Sequence, residues 1–193
     1  MRQEYTLEDL LGSPAKIKII KFFIRNSEGK YAATEISKFL REKSPKVRSA
    51  LNALLRTKFL IAKKQSSTTF YVVNKNFHLF RELQIIVLKA NPTSFYSMKK
   101  TLQKIKGVKL AVVSGILLGE DSSRADLLIV GDRLSTSKIQ RLSERIESEV
   151  GHEITLVILD VKEFDYRRNM YDKFIRDILE YRHEKLINKL RLD

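Results

Sequence analysis

The sequence predicts an α+β protein built from two successive domains, residues 1–90 and 91–193, and three observations carry that expectation. Three segments early in the chain place apolar side chains at helical spacing, and two β-rich segments around a polar tip follow them. After Asn91-Pro92-Thr93 the pattern changes to helix, strand, strand, helix, strand, which predicts a small α/β sheet domain. Charge is divided unevenly as well. Residues 1–90 carry 18 Lys+Arg against 7 Asp+Glu, a net +11, while residues 91–193 carry 19 against 16, a net +3. The +14 of the whole chain points to a polyanionic partner, and that character belongs to the first half.

In SPAKIKIIKFFIRN, Ser13 can cap a helix and Pro14 takes the first helical position, where its missing N–H costs nothing. Ile17, Ile20 and Ile24 then line one face, and Glu28-Gly29 ends the segment. ATEISKFLRE follows, with Thr34 as the expected cap and Ile36, Phe39 and Leu40 apolar. SPKVRSALNALLRTK repeats the Ser-Pro opening at Ser44-Pro45. FLIAKK and TTFYVV flank the tip QSST and predict a hairpin. In NFHLFRELQIIVLKA, Phe80, Leu83 and Val87 form one helical stripe, while Ile85, Ile86 and Leu88 add apolar surface off it. A helix apolar on more than one side needs more than one neighbour, in its own domain, in a second subunit or across the two halves.

Three helices and a hairpin in this order resemble a winged helix-turn-helix. Through GSPAKIKIIKFF, ATEISKFL, SPKVRSALNALLRTKFLI and the paired strands, the region from Leu10 to Asn74 is similar to the winged-helix domains of ArsR/MarR-type regulators of bacteria and archaea. The resemblance implies double-stranded DNA as partner, with the third helix in the major groove, the hairpin on the backbone, and a homodimer formed by the helix after the hairpin. Metal-sensing members of that family hold their effector through cysteine thiolates. This chain has no cysteine, which excludes that input.

The third helix carries a candidate interface of its own. Val47, Leu51, Leu54 and Leu55 make an apolar stripe, so the opposite face presents Lys46, Ser49, Asn52 and Arg56, with Arg48 on its flank. These side chains offer hydrogen-bonding groups for base edges and cations for phosphates. Ser44 at the helix start and Lys63 and Lys64 on the hairpin complete the candidate DNA-binding set, while the competing reading of this face is an ordinary solvated surface.

In the second half, SFYSMKKTLQKI has Phe95, Met98, Leu102 and Ile105 at helical spacing before Gly107. VKLAVVSGILL and DLLIV read as buried strands joined by GEDSSRA. The segment STSKIQRLSERIESEVG turns Ile139, Leu142, Ile146 and Val150 inward, EITLVILD is a third strand, and the tail is mostly helical with an extended segment near KLINKL. This order, with VVSG, the loop and ADLLIVGD, is similar to the minimal nucleotidyltransferase fold shared with DNA polymerase beta.

Active members of that fold carry a Gly-Ser pair, then Asp-x-Asp, then a third acidic residue on a later strand. The carboxylates hold divalent ions that bridge nucleotide phosphates, and the third helps activate the attacking hydroxyl. Here the pair is inverted as Ser114-Gly115, Asp-x-Asp reads Arg124-Ala125-Asp126, and ITLVIL contains no acidic residue, Asp160 lying at the strand's end. A guanidinium about 4 Å from a divalent ion is opposed by several kcal/mol even at an effective dielectric near 20. The expected motif is therefore degenerate: no metal, no cofactor and no catalysis. Arg124 is expected to pair with Asp126 or with Glu120/Asp121, or to meet an anion such as a nucleotide phosphate bound without metal; Asp126 is expected to cap or anchor its strand, and Gly131-Asp132 to form a turn.

The three histidines, His78, His152 and His183, have no metal-ligand spacing. Tyr166, Tyr171 and Tyr181 either line a pocket or cover the sheet. No segment is apolar enough to span a membrane and the start lacks a signal-peptide core, so a cytoplasmic location is expected. Together these readings lead to the expectation of a dimeric DNA-binding regulator whose second domain serves dimerisation, sensing or partner contact. The alternatives are a nucleotidyltransferase tethered to nucleic acid, and an RNA-binding or antitoxin-like interaction protein.

Overall fold

A computed structural model describes residues 13–89, 95–120 and 123–192. The protein is α+β, and its described residues fall into two compact units, 13–89 with 147–153, and 95–146 with 154–192. The expected break at Asn91-Pro92-Thr93 lies outside the described residues.

The first unit begins with helix α1 (Pro14–Arg25). Pro14 stands in the first turn as its fixed φ favours, but the Ser13 hydroxyl makes no cap bond; the Ser13 carbonyl instead accepts from Ile17 N–H at 3.0 Å. The buried face is wider than the isoleucine stripe. Ile19, Phe22 and Phe23 are buried, while Ile20 is only partly so. Strand β1 (Tyr31–Ala32) leads into α2 (Ala33–Phe39). Thr34 lies inside that helix rather than capping it; Glu35 reaches back to accept from Ala32 N–H at 2.6 Å. A turn with Arg41 at φ 53° leads to α3 (Ser44–Arg56), where Ser44 sits inside the helix and Lys43 precedes it.

Helix α3 ends in a Schellman arrangement, with Phe59 N–H bonded to Leu54 O at 3.1 Å and Lys58 N–H to Leu55 O at 2.9 Å, Lys58 taking φ 61°. The hairpin follows as β2 (Leu60–Gln65) and β3 (Thr68–Val73), closed by Ser66-Ser67 with Ser66 at φ 52°. Residues Tyr31 and Ala32 add a third antiparallel strand, in order β1-β3-β2, a pairing too short to show in the sequence. Helix α4 (Phe80–Lys89) buries Val87 and leans Phe80 and Leu83 on a core formed by Phe22, Phe23, Ile36, Leu51, Leu54 and Phe59, among others. Ile85 and Ile86 stay exposed.

The second unit starts with α5 (Phe95–Gln103) and β4 (Val108–Val113). The expected strand over VKLAVVSGILL stops at Val113, because Gly115 turns to φ 56° and Gly115–Leu118 closes into a 3-10 turn. Next come β5 (Leu127–Gly131), α6 (Thr136–Val150) and β6 (Leu156–Leu159). Strands β5 and β6 are parallel, which requires the crossover that α6 supplies. Helices α7 (Val161–Asn169) and α8 (Lys173–Glu180) precede β7 (Glu184–Asn188). The sheet order is β6-β5-β4-β7, so the extended segment anticipated near the C-terminus pairs antiparallel with β4. All five residues of β5 are buried, as a strand covered on both faces requires. No described helix is long and apolar enough to cross a membrane.

Candidate functional site

The interior side of α3 is set by Val47, Ala50, Leu51 and Leu54, all buried. Ala50 takes the place expected for Leu55, which is only partly buried, and this rotates the buried stripe by about 35° from the position anticipated at 100° per residue. The middle of the exposed face therefore falls on Pro45, Ser49, Asn52 and Arg56, with Arg48 on one flank and Lys46 on the other. Ser44, Lys46, Arg48, Ser49, Asn52 and Arg56 are all exposed. The Ser44 hydroxyl lies 3.3 Å from that of Ser37, whereas the other five side chains have no partner among the described residues. On the Lys46 flank, a groove of about 530 Å³ runs between α3 and the start of α1, lined by Ser13, Lys16, Lys46, Ser49 and Arg56. Lys16 and Ser13 lie some 30 residues before α3, and no local pattern announces them as its neighbours.

From Lys38 to Lys64 the chain carries nine Lys/Arg and one acid, Glu42. Lys18 on α1 engages that acid at 2.9 Å, with both side chains about four-fifths buried, so Glu42 does not neutralise the outer cations. Lys63 and Lys64 are exposed, but strand alternation sends them to opposite faces. Lys64 shares the face of Leu60 and Val73, which pack on the helices, and Lys63 lies on the other face with Ile61 and Phe70. The structure thus does not bring these two lysines to one surface.

In the second unit three of the four motif residues, Ser114, Gly115 and Asp126, meet in a backbone staple, and Arg124 stands outside it. Asp126 Oδ1 accepts from Ile116 N–H and Oδ2 from Thr155 N–H, both at 2.8 Å, joining the turn after β4 to the start of β6. Ser114 Oγ donates to Ala125 O at 2.5 Å and lies 3.0 Å from Ser123 Oγ. A Cβ on Gly115 would stand 2.1 Å from Asp126 Oδ1, so this turn admits only glycine. Asp126 is buried and acts as the strand anchor that its position suggested.

Arg124 does not pair with Asp126 or Glu120. Its Nε donates to Asp177 Oδ2 at 2.5 Å, while Glu120 is held by Arg182 at 3.3 Å; Asp121 lies outside the described residues. Asp126 and Glu120 were the wrong candidates because Asp177 of α8, 53 residues later, folds back beside the loop. Lys173 and Tyr181 join Arg124, Asp177, Glu120 and Arg182 around a cleft of about 450 Å³. Of the three tyrosines, Tyr181 lines this cleft, and Tyr166 and Tyr171 project into solvent. Asp160 caps α7 by accepting from Glu163 N–H at 2.7 Å, and Asp132 lies 3.6 Å from Lys109. Among the described residues no group of three or more acidic or histidine side chains is placed to hold a metal ion.

No protein-family model, curated protein or solved structure matches the chain.

Proposed function

We propose that the chain is a DNA-binding transcriptional regulator, a winged helix-turn-helix domain followed by a degenerate nucleotidyltransferase-like domain. The observation that carries this reading is the exposed face of α3, where Lys46, Arg48, Ser49, Asn52 and Arg56 project without partners among the described residues from a helix whose other side is buried. In this reading α3 enters the major groove, Asn52 and Arg56 meet base edges, and the flanking cations neutralise phosphates. A homodimer fits the exposure of Ile85 and Ile86 on α4, two apolar side chains whose burial needs a further surface.

Selection of bound sequences from a random duplex library tests the proposal. Enrichment of a palindromic motif with half-sites about 10 base pairs apart is expected of a dimer. Asn52→Ala with Arg56→Ala should remove the preference while leaving weak, salt-sensitive binding. A chain that binds structured RNA as well as any duplex would defeat the regulator reading in favour of the RNA-binding alternative.

The second domain is read as non-catalytic. Asp126 spends both carboxylate oxygens on backbone amides, and Arg124 occupies the position where a metal site needs an anion. Incubation with labelled nucleoside triphosphates and Mg²⁺ or Mn²⁺ should give no transfer; transfer abolished by Asp126→Ala would establish an enzyme instead.

A further inference from the structure

We propose that the cleft beside the Ser114-Gly115 turn binds a small phosphate monoester without a metal ion, held by Arg124, Lys173 and Arg182. All three side chains line one cavity within the second unit, together with the ring of Tyr181. The two described carboxylates of the lining, Glu120 and Asp177, do not cancel them; each orients a guanidinium and leaves donors over. Asp177, only 13% exposed, holds Arg124 by Nε, so both terminal nitrogens of Arg124 remain uncommitted among the described residues. Arg182 uses Nη1 for both Leu118 O and Glu120 Oε1 at 3.3 Å, which leaves its Nε and Nη2. The Lys173 ammonium has no partner among the described residues.

The chemistry of these donors selects the ligand. Three cationic side chains from separate parts of the chain call for an acceptor with several oxygens and more than one charge. A phosphate monoester presents three terminal oxygens, one for each cation, and its guanidinium contacts are charge-assisted. A monocarboxylate offers two oxygens and one charge, and leaves one cation unmatched. Divalent metal is not needed, because the protein supplies the positive charge and, among the described residues, Asp126 is engaged by amides and Glu120 and Asp177 by arginines. A volume of about 450 Å³ exceeds what a bare phosphate fills, and the exposed Tyr181 ring offers a flat face to the organic part of an ester.

Calorimetric titration of the full chain tests this, with inorganic phosphate and adenosine monophosphate as probes, EDTA present and no DNA, so that its outcome is separate from that of the DNA reading. Saturable one-to-one binding is expected, weakened about tenfold or more by Lys173→Ala, restored by Lys173→Arg and unchanged by Lys162→Ala on α7. Tighter binding of the nucleotide that Tyr181→Ala reduces to the level of phosphate would assign a ring to the natural ligand; equal affinities would assign the phosphate group alone. Absence of saturable binding by both probes, wild-type affinity in Lys173→Ala, or a requirement for Mg²⁺ would overturn the proposal.

Discussion

At Gly115 the backbone takes φ 56° beneath the Asp126 carboxylate, and two kinds of strain would meet in any larger residue. An alanine there adopts a left-handed conformation costing about 1–2 kcal/mol and forces the carboxylate off the Ile116 amide. Gly115→Ala should therefore lower unfolding free energy by about 2–4 kcal/mol in urea titration. Asp126→Asn keeps one acceptor of two and should cost less, about 1–3 kcal/mol. Equal and negligible losses would show that the staple contributes nothing. The sequence makes Ser114, Gly115 and Asp126 visible as a cluster, but their use is a matter of three-dimensional register. Which amides a carboxylate meets depends on where β6 begins, and that is fixed by pairing between strands, not by local pattern. Arg124 illustrates the same limit, since its partner Asp177 belongs to a helix with no sequence proximity to the loop.

Elements were more legible where one side of a helix faces the core. The α6 pattern of Ile139, Leu142, Ile146 and Val150 is buried at all four positions, because period 3.6 and burial are the same fact seen twice. Short pieces were not legible: β1 has two residues, and a 3-10 turn replaces the end of a strand because one glycine reverses its φ. In the hairpin, alternation makes the two lysines unequal. If the proposed DNA contact is on the helix side, Lys64→Ala should flatten the dependence of log K on log salt by about one, and Lys63→Ala by clearly less. Identical slopes for the two variants would mean that the hairpin face is not what grips the backbone.

The strand Tyr31–Ala32 has a pH signature of its own. Burial first, and the Glu35 carboxylate second, push the Tyr31 phenol above its ordinary value of 10.0. A raised acid prefers its neutral form in the fold, so Tyr31 contributes nothing pH-dependent at neutrality. Above pH 10 the unfolded chain ionises first and stability falls until the folded phenol also titrates. Tyr31→Phe should leave stability at pH 7 within about 1 kcal/mol and remove part of the alkaline loss, measured by denaturation at pH 8 and pH 11. An unchanged difference between those two pH values would place the alkaline sensitivity elsewhere.

At the scale of the whole molecule, the division of charge leads to a prediction that fold alone does not make. The net +11 lies in residues 1–90 and the net +3 in 91–193, so a polyanion should sense mainly the first unit. Lys46, Arg48 and Arg56 on α3, Lys16 across the groove and one hairpin lysine are cations near the α3 face without partners among the described residues. If three to four of them displace counterions, log K should fall against log salt with a slope of about −2.7 to −3.6 per protomer, near −0.9 for each phosphate contact. Charge removal in the second unit, as in Lys162→Ala, should leave that slope unchanged, while Arg48→Ala should reduce it by about one. The Arg48 variant should keep the same preferred sequence, because a flank cation positions the helix and does not read it. Fluorescence anisotropy with a duplex from the library selection, run across 50 to about 300 mM salt, measures both quantities. A shallow slope near zero would contradict backbone neutralisation by this surface, and a slope that responds to Lys162 as strongly as to Arg48 would move the contact to the second unit.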